Sequence, residues 1–192
     1  MTRLILASTS KYRSGLLCRL GLPFETQAPR VDERIAPGED PARAAARLAR
    51  AKAEAVEAPG AIVIGADQVA ALGAQILRKP GTHDAALAQL AACRNQTVLF
   101  HTAVAVVDVA GGRRWETVDV TEVAFADSTR EQLARYLERE QPYDCAGGFK
   151  AEGLGIVLFR AIRSSDPTAL IGLPLIWLAA TLREAGLDPL AK

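Results

Sequence analysis

Two short apolar runs in this chain end abruptly in side chains that could do chemistry. Leu4-Ile5-Leu6-Ala7 gives way to the hydroxyls of Ser8 and Ser10, followed by Lys11 and Arg13 at the start of a helical pattern. Cations in the first turn of a helix oppose its macrodipole, so a nearby anion would resolve the conflict. Free backbone N–H groups, the two hydroxyls and Arg13 could together hold a phosphate, whereas a serine cap with solvated charges is the plain structural alternative. Asp67 directly follows the apolar run Ala61 to Ala66. A carboxylate in that position must be desolvated, paired or metal-bound, and an ion pair with a lysine is its structural alternative.

Other candidates lie in polar connections. Asp32 and Glu33 supply the hard oxygen ligands that Mg²⁺ prefers, with substrate phosphates completing the shell. Lys52 and Lys79 are candidate phosphate cations, since neither lies in a dense run of lysines. The stretch Gly147 to Gly153 has the spacing of neither a Walker loop nor a dinucleotide fingerprint. A loop that exposes Phe149 and Glu152 between its glycines would instead form the wall of a base pocket.

Composition narrows the chemistry further. Cys18, Cys93 and Cys145 are far apart, which argues against a disulfide framework and against paired-thiolate zinc spacing. His83 and His101 have no obvious Cys or Ser partner motif, so histidine-driven nucleophilic catalysis is not expected and carboxylates with a metal should carry any reaction. A formal charge of +1 provides no field for a long nucleic acid or an anionic membrane surface, but a small charged ligand fits. No apolar stretch approaches bilayer-spanning length, and Leu4 to Ala7 is too short for a secretory core, so the expected location is cytoplasmic.

These candidates need elements to position them. At 192 residues, 49% of them apolar, the chain can close one core, and a single domain over 1–192 is expected. Arg3 to Ala7 reads as a buried strand, Leu16, Leu17 and Leu20 mark a helix ending at Gly21, and Phe24 to Ala28 suggests a second strand. Asp40-Pro41 opens an Ala-rich helix to about Ala58. The strand Ala61 to Ala66 should stop at Asp67-Gln68, with strand-like residues resuming over Val69 to Leu77 around a turn at Gly73. A helix capped by Thr82 runs to Cys93, and Val98 to Val109 with Arg114 to Phe125 form a long hairpin. Ser128-x-x-Glu131 is a capping box for a helix ending near Glu140. A strand over Leu154 to Ile162 and a helix over Leu175 to Ala185 complete an α/β protein, a mixed twisted sheet with flanking helices.

The ordered set Leu6-Ala7-Ser8-Thr9-Ser10-x-x-Arg13, Val31-Asp32-Glu33, Ala51-Lys52-Ala53, Gly65-Ala66-Asp67-Gln68-Val69, Lys79-Pro80, Ala146-Gly147-Gly148-Phe149 and Gly172-Leu173-Pro174-Leu175 resembles the Maf family. The resemblance implies a Maf/Ham1 (ITPase-like) fold with a central phosphate-binding cleft, and metal-dependent hydrolysis of nucleoside triphosphates to monophosphate and diphosphate. It implies Ser8, Ser10 and Arg13 as the phosphate cradle, Lys52 and Lys79 as further phosphate contacts, Glu33 and Asp67 as metal-associated carboxylates, and Asp67 as proton acceptor. The implied cofactor is a divalent cation, Mg²⁺ or Mn²⁺. The nucleotide is the implied partner, and a second copy of the chain is left open as another.

Within the family, Cys145 to Gly153 resembles the branch that hydrolyses 7-methyl-GTP, in which Tyr12, Gln68 and Glu152 match the specificity positions. Methylation at N7 makes the base cationic, which suits the ring face of Tyr12 or Phe149, and a carboxylate at Glu152 accepts from the base's N–H groups. A dTTP or UTP pyrophosphatase of the same fold, and a non-catalytic nucleotide-binding regulator of cell division, are the alternatives. The chain departs from the family's Ser-x-Ser-Pro-Arg-Arg by lacking the proline and one arginine, and Arg78 stands where a glycine usually precedes Lys79-Pro80.

Overall fold

The computed structural model describes residues 2–191. In chain order they form β1 (Arg3–Ala7), α1 (Lys11–Cys18), β2 (Glu25–Thr26), α2 (Pro41–Glu54), β3 (Ala61–Leu72), β4 (Gln75–Leu77), α3 (His83–Cys93), β5 (Thr97–Asp108), β6 (Arg114–Phe125), α4 (Arg130–Glu140), β7 (Phe159–Arg163) and α5 (Leu175–Glu184). The strands make one mixed sheet in the order β2-β1-β3-β5-β6-β7, with β4 beside β3. β1 runs parallel to both β2 and β3, and the remaining pairs are antiparallel.

Strands at the centre are covered on both faces, which is why they read as unbroken apolar runs. On one face Leu4, Leu6, Ile62 and Ile64 pack against Leu16 and Leu17 of α1 and Leu178 and Leu182 of α5. On the other, Ile5 and Val63 meet the alanines of α2. A third cluster, around Phe100 and Phe125, lies under α3 and α4.

α2 begins where the Asp40 carboxylate accepts the Arg43 N–H at 2.9 Å, with Pro41 preset in the first turn. It ends at Glu54, four residues short of the expected Ala58. Its small side chains let it lie directly on β3: a Cβ at Gly65 would overlap the Ala49 carbonyl oxygen and the Ala53 backbone nitrogen. That close approach sets the height of Lys52 above the sheet.

β3 corrects the expected stop at Asp67-Gln68, since it continues through both residues to Leu72. The ladder to β5 holds it, pairing every position from Ile62 to Ala71. Its other edge is different. β1 pairs only with Ala61 to Gly65, and β4 only with Ala70 to Leu72. Ala66 to Val69 therefore have no ladder partner on that side among the described residues, and this gap in the sheet is the floor of the cleft.

Three smaller expectations also change. β2 covers only Glu25–Thr26 rather than Phe24 to Ala28. The capping box of α4 is one residue later than expected, with Thr129 and Gln132 exchanging side-chain and backbone hydrogen bonds, because the sequence offers the same pattern in two registers. Leu154–Leu158 form 3₁₀ turns and the strand begins at Phe159. The Leu154 N–H is taken by the Glu140 carboxylate and the Ile156 N–H by the Gly153 carbonyl, so neither is free for a ladder. The hairpin β5–β6, α3 and its Thr82 cap, and the Gly73 turn agree with the sequence reading.

Candidate active site

The cleft over the gap in β3 has a volume of about 780 Å³ and is lined from four sides, by the segment after β1, by α2, by Arg78-Lys79 and by the glycine-rich loop. Of the residues singled out from sequence, Ser8, Ser10, Tyr12, Arg13, Glu33, Lys52, Asp67, Gln68, Lys79, Phe149 and Glu152 all line it. Asp32 does not. Its carboxylate is forked by the Arg34 guanidinium at 2.7–3.0 Å on the exposed surface, which holds its pKa down to about 2.

Asp67 and Gln68 are adjacent on a strand and point to opposite faces of the sheet. On the α2 face, Lys52 Nζ lies 2.6 Å from Asp67 Oδ1 and 3.0 Å from Glu33 Oε1. The Lys52 and Asp67 side chains are nearly enclosed, at 7% and 11% exposure, whereas Glu33 stands open at 60%. One ammonium thus draws two carboxylates to a single point on the floor. The lysine ion pair that stood as the structural alternative for Asp67 is present, and Lys52 is engaged by carboxylates before any phosphate arrives. No cluster of three or more His, Cys, Asp or Glu side chains occurs among the described residues. A cation bridging Glu33 and Asp67 would therefore take its remaining ligands from water or from a bound anion.

Across the gap, the start of α1 combines the cap and cradle readings. Ser10 Oγ accepts the Arg13 N–H and Ser8 Oγ accepts the Ser10 N–H, at 3.4 and 3.1 Å. Both oxygens act as acceptors, so the two hydroxyl protons remain to be donated into the cleft. The Arg13 guanidinium is anchored by one bond, Nε to the Gly172 carbonyl at 3.2 Å. Burial pushes its pKa down, opposed by the nearby Asp67 and Glu33 carboxylates. Gly172 has φ of 130°, and a Cβ there would press on Arg13 Cγ and Nε at 3.3 Å. Lys79 is exposed at the rim and forms no ion pair among the described residues.

The far end of the cleft is aromatic and acidic. Phe149 corrects the expectation of an exposed ring, because it is only 5% exposed and packs edge-to-face on Phe100, Phe125 and Phe159 at 4.8–5.5 Å between centroids. It shapes the pocket from behind. Tyr12 is the accessible ring, and Lys11 Nζ already sits 5.2 Å from its centroid, so this face takes a cation. Burial pushes the Tyr12 hydroxyl's pKa above the usual phenol range. Cys145, at the start of the loop that resembles the 7-methyl-GTP branch, lies with Sγ 3.9 Å from the Tyr12 oxygen. Burial and Asp144 push its pKa up to about 11, so it is a thiol and not a nucleophile.

The loop carrying Glu152 is tied down from α4. Tyr136 Oη accepts the Lys150 N–H at 3.1 Å, Lys150 Nζ pairs with Glu140 at 3.3 Å, and Glu140 Oε2 accepts the Leu154 N–H at 2.9 Å. Glu152 itself is exposed and unpaired among the described residues.

Two hydroxyls and a guanidinium at a helix start, two carboxylates gathered by a lysine, and an aromatic ring beside an acidic glycine-rich loop line one cleft. A family model described as Maf-like protein matches residues 3–185. The chain belongs to the Maf family. Among curated Maf relatives, a protein of Xanthomonas axonopodis pv. citri is 56% identical over 188 residues, covering 97% of this chain and 98% of its own length. One of Nitrosococcus oceani is 52% identical over 185 residues, covering 95% and 93%. Another, of Aromatoleum aromaticum, is 52% identical over 189 residues, covering 97% of each. All three are named 7-methyl-GTP pyrophosphatase. In this Maf chain, the missing proline of the Ser-x-Ser motif leaves Ser8, Ser10 and Arg13 directed at the cleft, and Arg78 lines its rim. No helix among the described residues is long and apolar enough to cross a membrane.

Proposed function

We propose that this Maf chain is a nucleoside triphosphate pyrophosphatase that hydrolyses 7-methyl-GTP to 7-methyl-GMP and diphosphate. The observation that carries the reading is the two-ended cleft. The Arg13 guanidinium lies within electrostatic reach of Asp67 and Glu33, the Tyr12 ring lies beside Cys145 and within reach of the Glu152 carboxylate, and both groups line the one cleft. A triphosphate laid in the cradle meets the Ser8 and Ser10 hydroxyls and the free nitrogens of Arg13, with Lys79 at the rim. The base then reaches Tyr12 and Glu152, which suit the positive charge of an N7-methylated guanine.

The α phosphorus falls between these ends, above Asp67. Asp67 orients a water there and takes its proton as the new P–O bond forms, and the bond to the bridging oxygen breaks to release diphosphate. Lys52 holds the Asp67 and Glu33 carboxylates side by side. Glu33 and Asp67, together with substrate phosphate oxygens, would hold a divalent cation, Mg²⁺ or Mn²⁺, which supplies charge neutralisation on the departing phosphates. Arg13, beside the Ser8 and Ser10 hydroxyls, and Lys79, at the rim, balance the same developing charge.

A panel of 7-methyl-GTP, GTP, dTTP, UTP and CTP, read as diphosphate release, tests the proposal. Highest catalytic efficiency on 7-methyl-GTP is expected. Glu152→Gln should lower the 7-methyl-GTP to dTTP efficiency ratio by about tenfold or more, because the amide lacks the charge and brings a donor to a donor edge. A preference for dTTP or UTP in the native protein would make it the pyrimidine enzyme of this fold. Binding without diphosphate release would make it a nucleotide-binding regulator.

A further inference from the structure

The turn over residues 168–172 lends three carbonyls to side chains of the cleft. Gly172 accepts from Arg13 Nε at 3.2 Å. Ala169 and Leu170 accept from Gln68 Nε2 at 3.2 and 3.0 Å, and the same nitrogen donates to the Thr102 hydroxyl at 2.8 Å. What fixes this turn is a carboxylate that does not itself line the cleft. Asp166 is 3% exposed, and no cation pairs with it among the described residues. Its Oδ1 accepts the Thr168 N–H at 2.8 Å and lies 2.6 Å from the Thr168 hydroxyl, while its Oδ2 accepts the Ile176 N–H at 2.6 Å. Thr168 Oγ1 also accepts the Leu175 N–H at 2.9 Å and lies 2.7 Å from the Leu173 carbonyl. Asp166 and Thr168 therefore tie the turn to the first N–H groups of α5, which Pro174 at the cap position leaves without a side-chain acceptor of its own.

Capping a helix is the plain role of such a carboxylate, but the far side of the turn gives it a second one. The Arg13 guanidinium is held by the Gly172 carbonyl alone, while the Asp67 and Glu33 carboxylates attract it from the floor. A carboxylate is a stronger partner for a guanidinium than a neutral carbonyl. Arg13 keeps its remaining nitrogens for an incoming anion only while the carbonyl stays in place. We propose that Asp166 is a positioning residue for phosphate binding: by fixing the 168–172 turn it holds the Gly172 carbonyl against Arg13 and keeps the guanidinium from collapsing onto the floor carboxylates. This inference rests on the nucleotide pyrophosphatase reading and extends it to a residue that touches neither the nucleotide nor the cation.

Asp166→Asn keeps the volume but offers one acceptor oxygen to three donors, so its amide nitrogen must face an N–H group and the turn must shift. The probe is inorganic tripolyphosphate, which has no base, titrated calorimetrically in magnesium buffer into the native chain, Asp166→Asn, Arg13→Ala and the double variant. Asp166→Asn should weaken binding by about tenfold when Arg13 is present. In the Arg13→Ala background the same change should matter by less than about twofold, because the residue it acts through has gone. A mere helix cap would lower the melting temperature while leaving affinity alone, or weaken binding by the same factor in both backgrounds, and either result would overturn the assignment. If Asp166→Asn does not fold, Thr168→Val, which removes the shared hydroxyl, takes its place in the cycle, with Thr168→Ser expected to bind as the native chain does. Equal affinity of the Val and Ser variants would likewise overturn it. Failure of the native chain to bind tripolyphosphate would sink the phosphate-binding part of the functional proposal and this inference with it, whereas binding with additive losses sinks the inference alone.

Discussion

The floor of the cleft and its glycine-rich wall are built by opposite means. On the floor, Asp67 sits on a strand paired to β5 from Ile62 to Ala71, and Lys52 on a helix pressed against that strand at Gly65. The wall, from Asp144 to Leu154, is 3₁₀ turns and bends with Gly147 and Gly148 at φ of 82° and 73°, fastened by a few side-chain bonds from α4. In the proposed mechanism the groups that act on a phosphorus atom are thus mounted where backbone and packing fix them. Those that would choose a base are mounted where chain geometry can change without disturbing the sheet.

If that contrast holds, removing charge from the floor should have the largest effect. Asp67→Asn keeps the shape of the side chain and leaves Lys52 paired with Glu33, so far-ultraviolet circular dichroism should match the native chain. Turnover should fall by about 10²–10⁴-fold through loss of the proton acceptor. Activity within a few-fold of native would remove Asp67 from the reaction.

Packing provides a sharper version of the comparison. Gly65→Ala places a methyl group into the backbone of α2, which cannot yield as a flexible side chain would, and should cost about 1–3 kcal/mol. Gly148→Ala in the wall has its nearest neighbours at 3.7 Å and faces only the strain of its positive φ, about 1–2 kcal/mol. Urea denaturation of both variants should rank Gly65→Ala as the less stable, and kinetics should show it losing kcat as Lys52 is displaced. The reverse ranking would mean that the wall, not the floor, is the rigid part.

The smallest effect concerns the thiol in the wall. With its pKa pushed up to about 11, Cys145 is protonated at neutral pH, and its thiolate fraction grows as pH rises toward that value. Iodoacetamide should therefore label it slowly at about pH 8 despite its place in the cleft, about tenfold faster for each unit of pH up to about 10. Exposed Cys18 serves as the accessibility control in the same peptide-mapped sample. Rapid labelling of Cys145 at neutral pH would show a wall that opens to solvent.

Much of the fold follows from local pattern. Unbroken apolar runs marked β1 and the first half of β3, Asp40-Pro41 marked the start of α2, and paired glycines marked the hairpin turn. Boundaries failed where long-range pairing overrode local chemistry. Asp67 and Gln68 read as the end of a strand because polar residues usually end buried runs, yet ten consecutive pairs to β5 carry the strand past them. Leu154 to Leu158 read as strand because they are apolar, yet Glu140, fourteen residues upstream of Leu154, claims the backbone N–H that a ladder would need.

The same division applies to the site. By itself, the sequence singled out side chains that line the cleft, because Ser8, Ser10, Arg13, Lys52, Asp67 and Lys79 have types and positions that packing alone does not require. Tertiary structure alone decided their state. Lys52 bridges Glu33 and Asp67 because α2 settles onto a glycine. Phe149 turned inward because three other phenylalanines surround it. Gln68 became an acceptor because a threonine 34 residues away and carbonyls about a hundred residues away consume its protons. Residue type sets what a group can donate or accept, but which of those capacities reaches a ligand depends on partners that only the folded chain brings within hydrogen-bond distance.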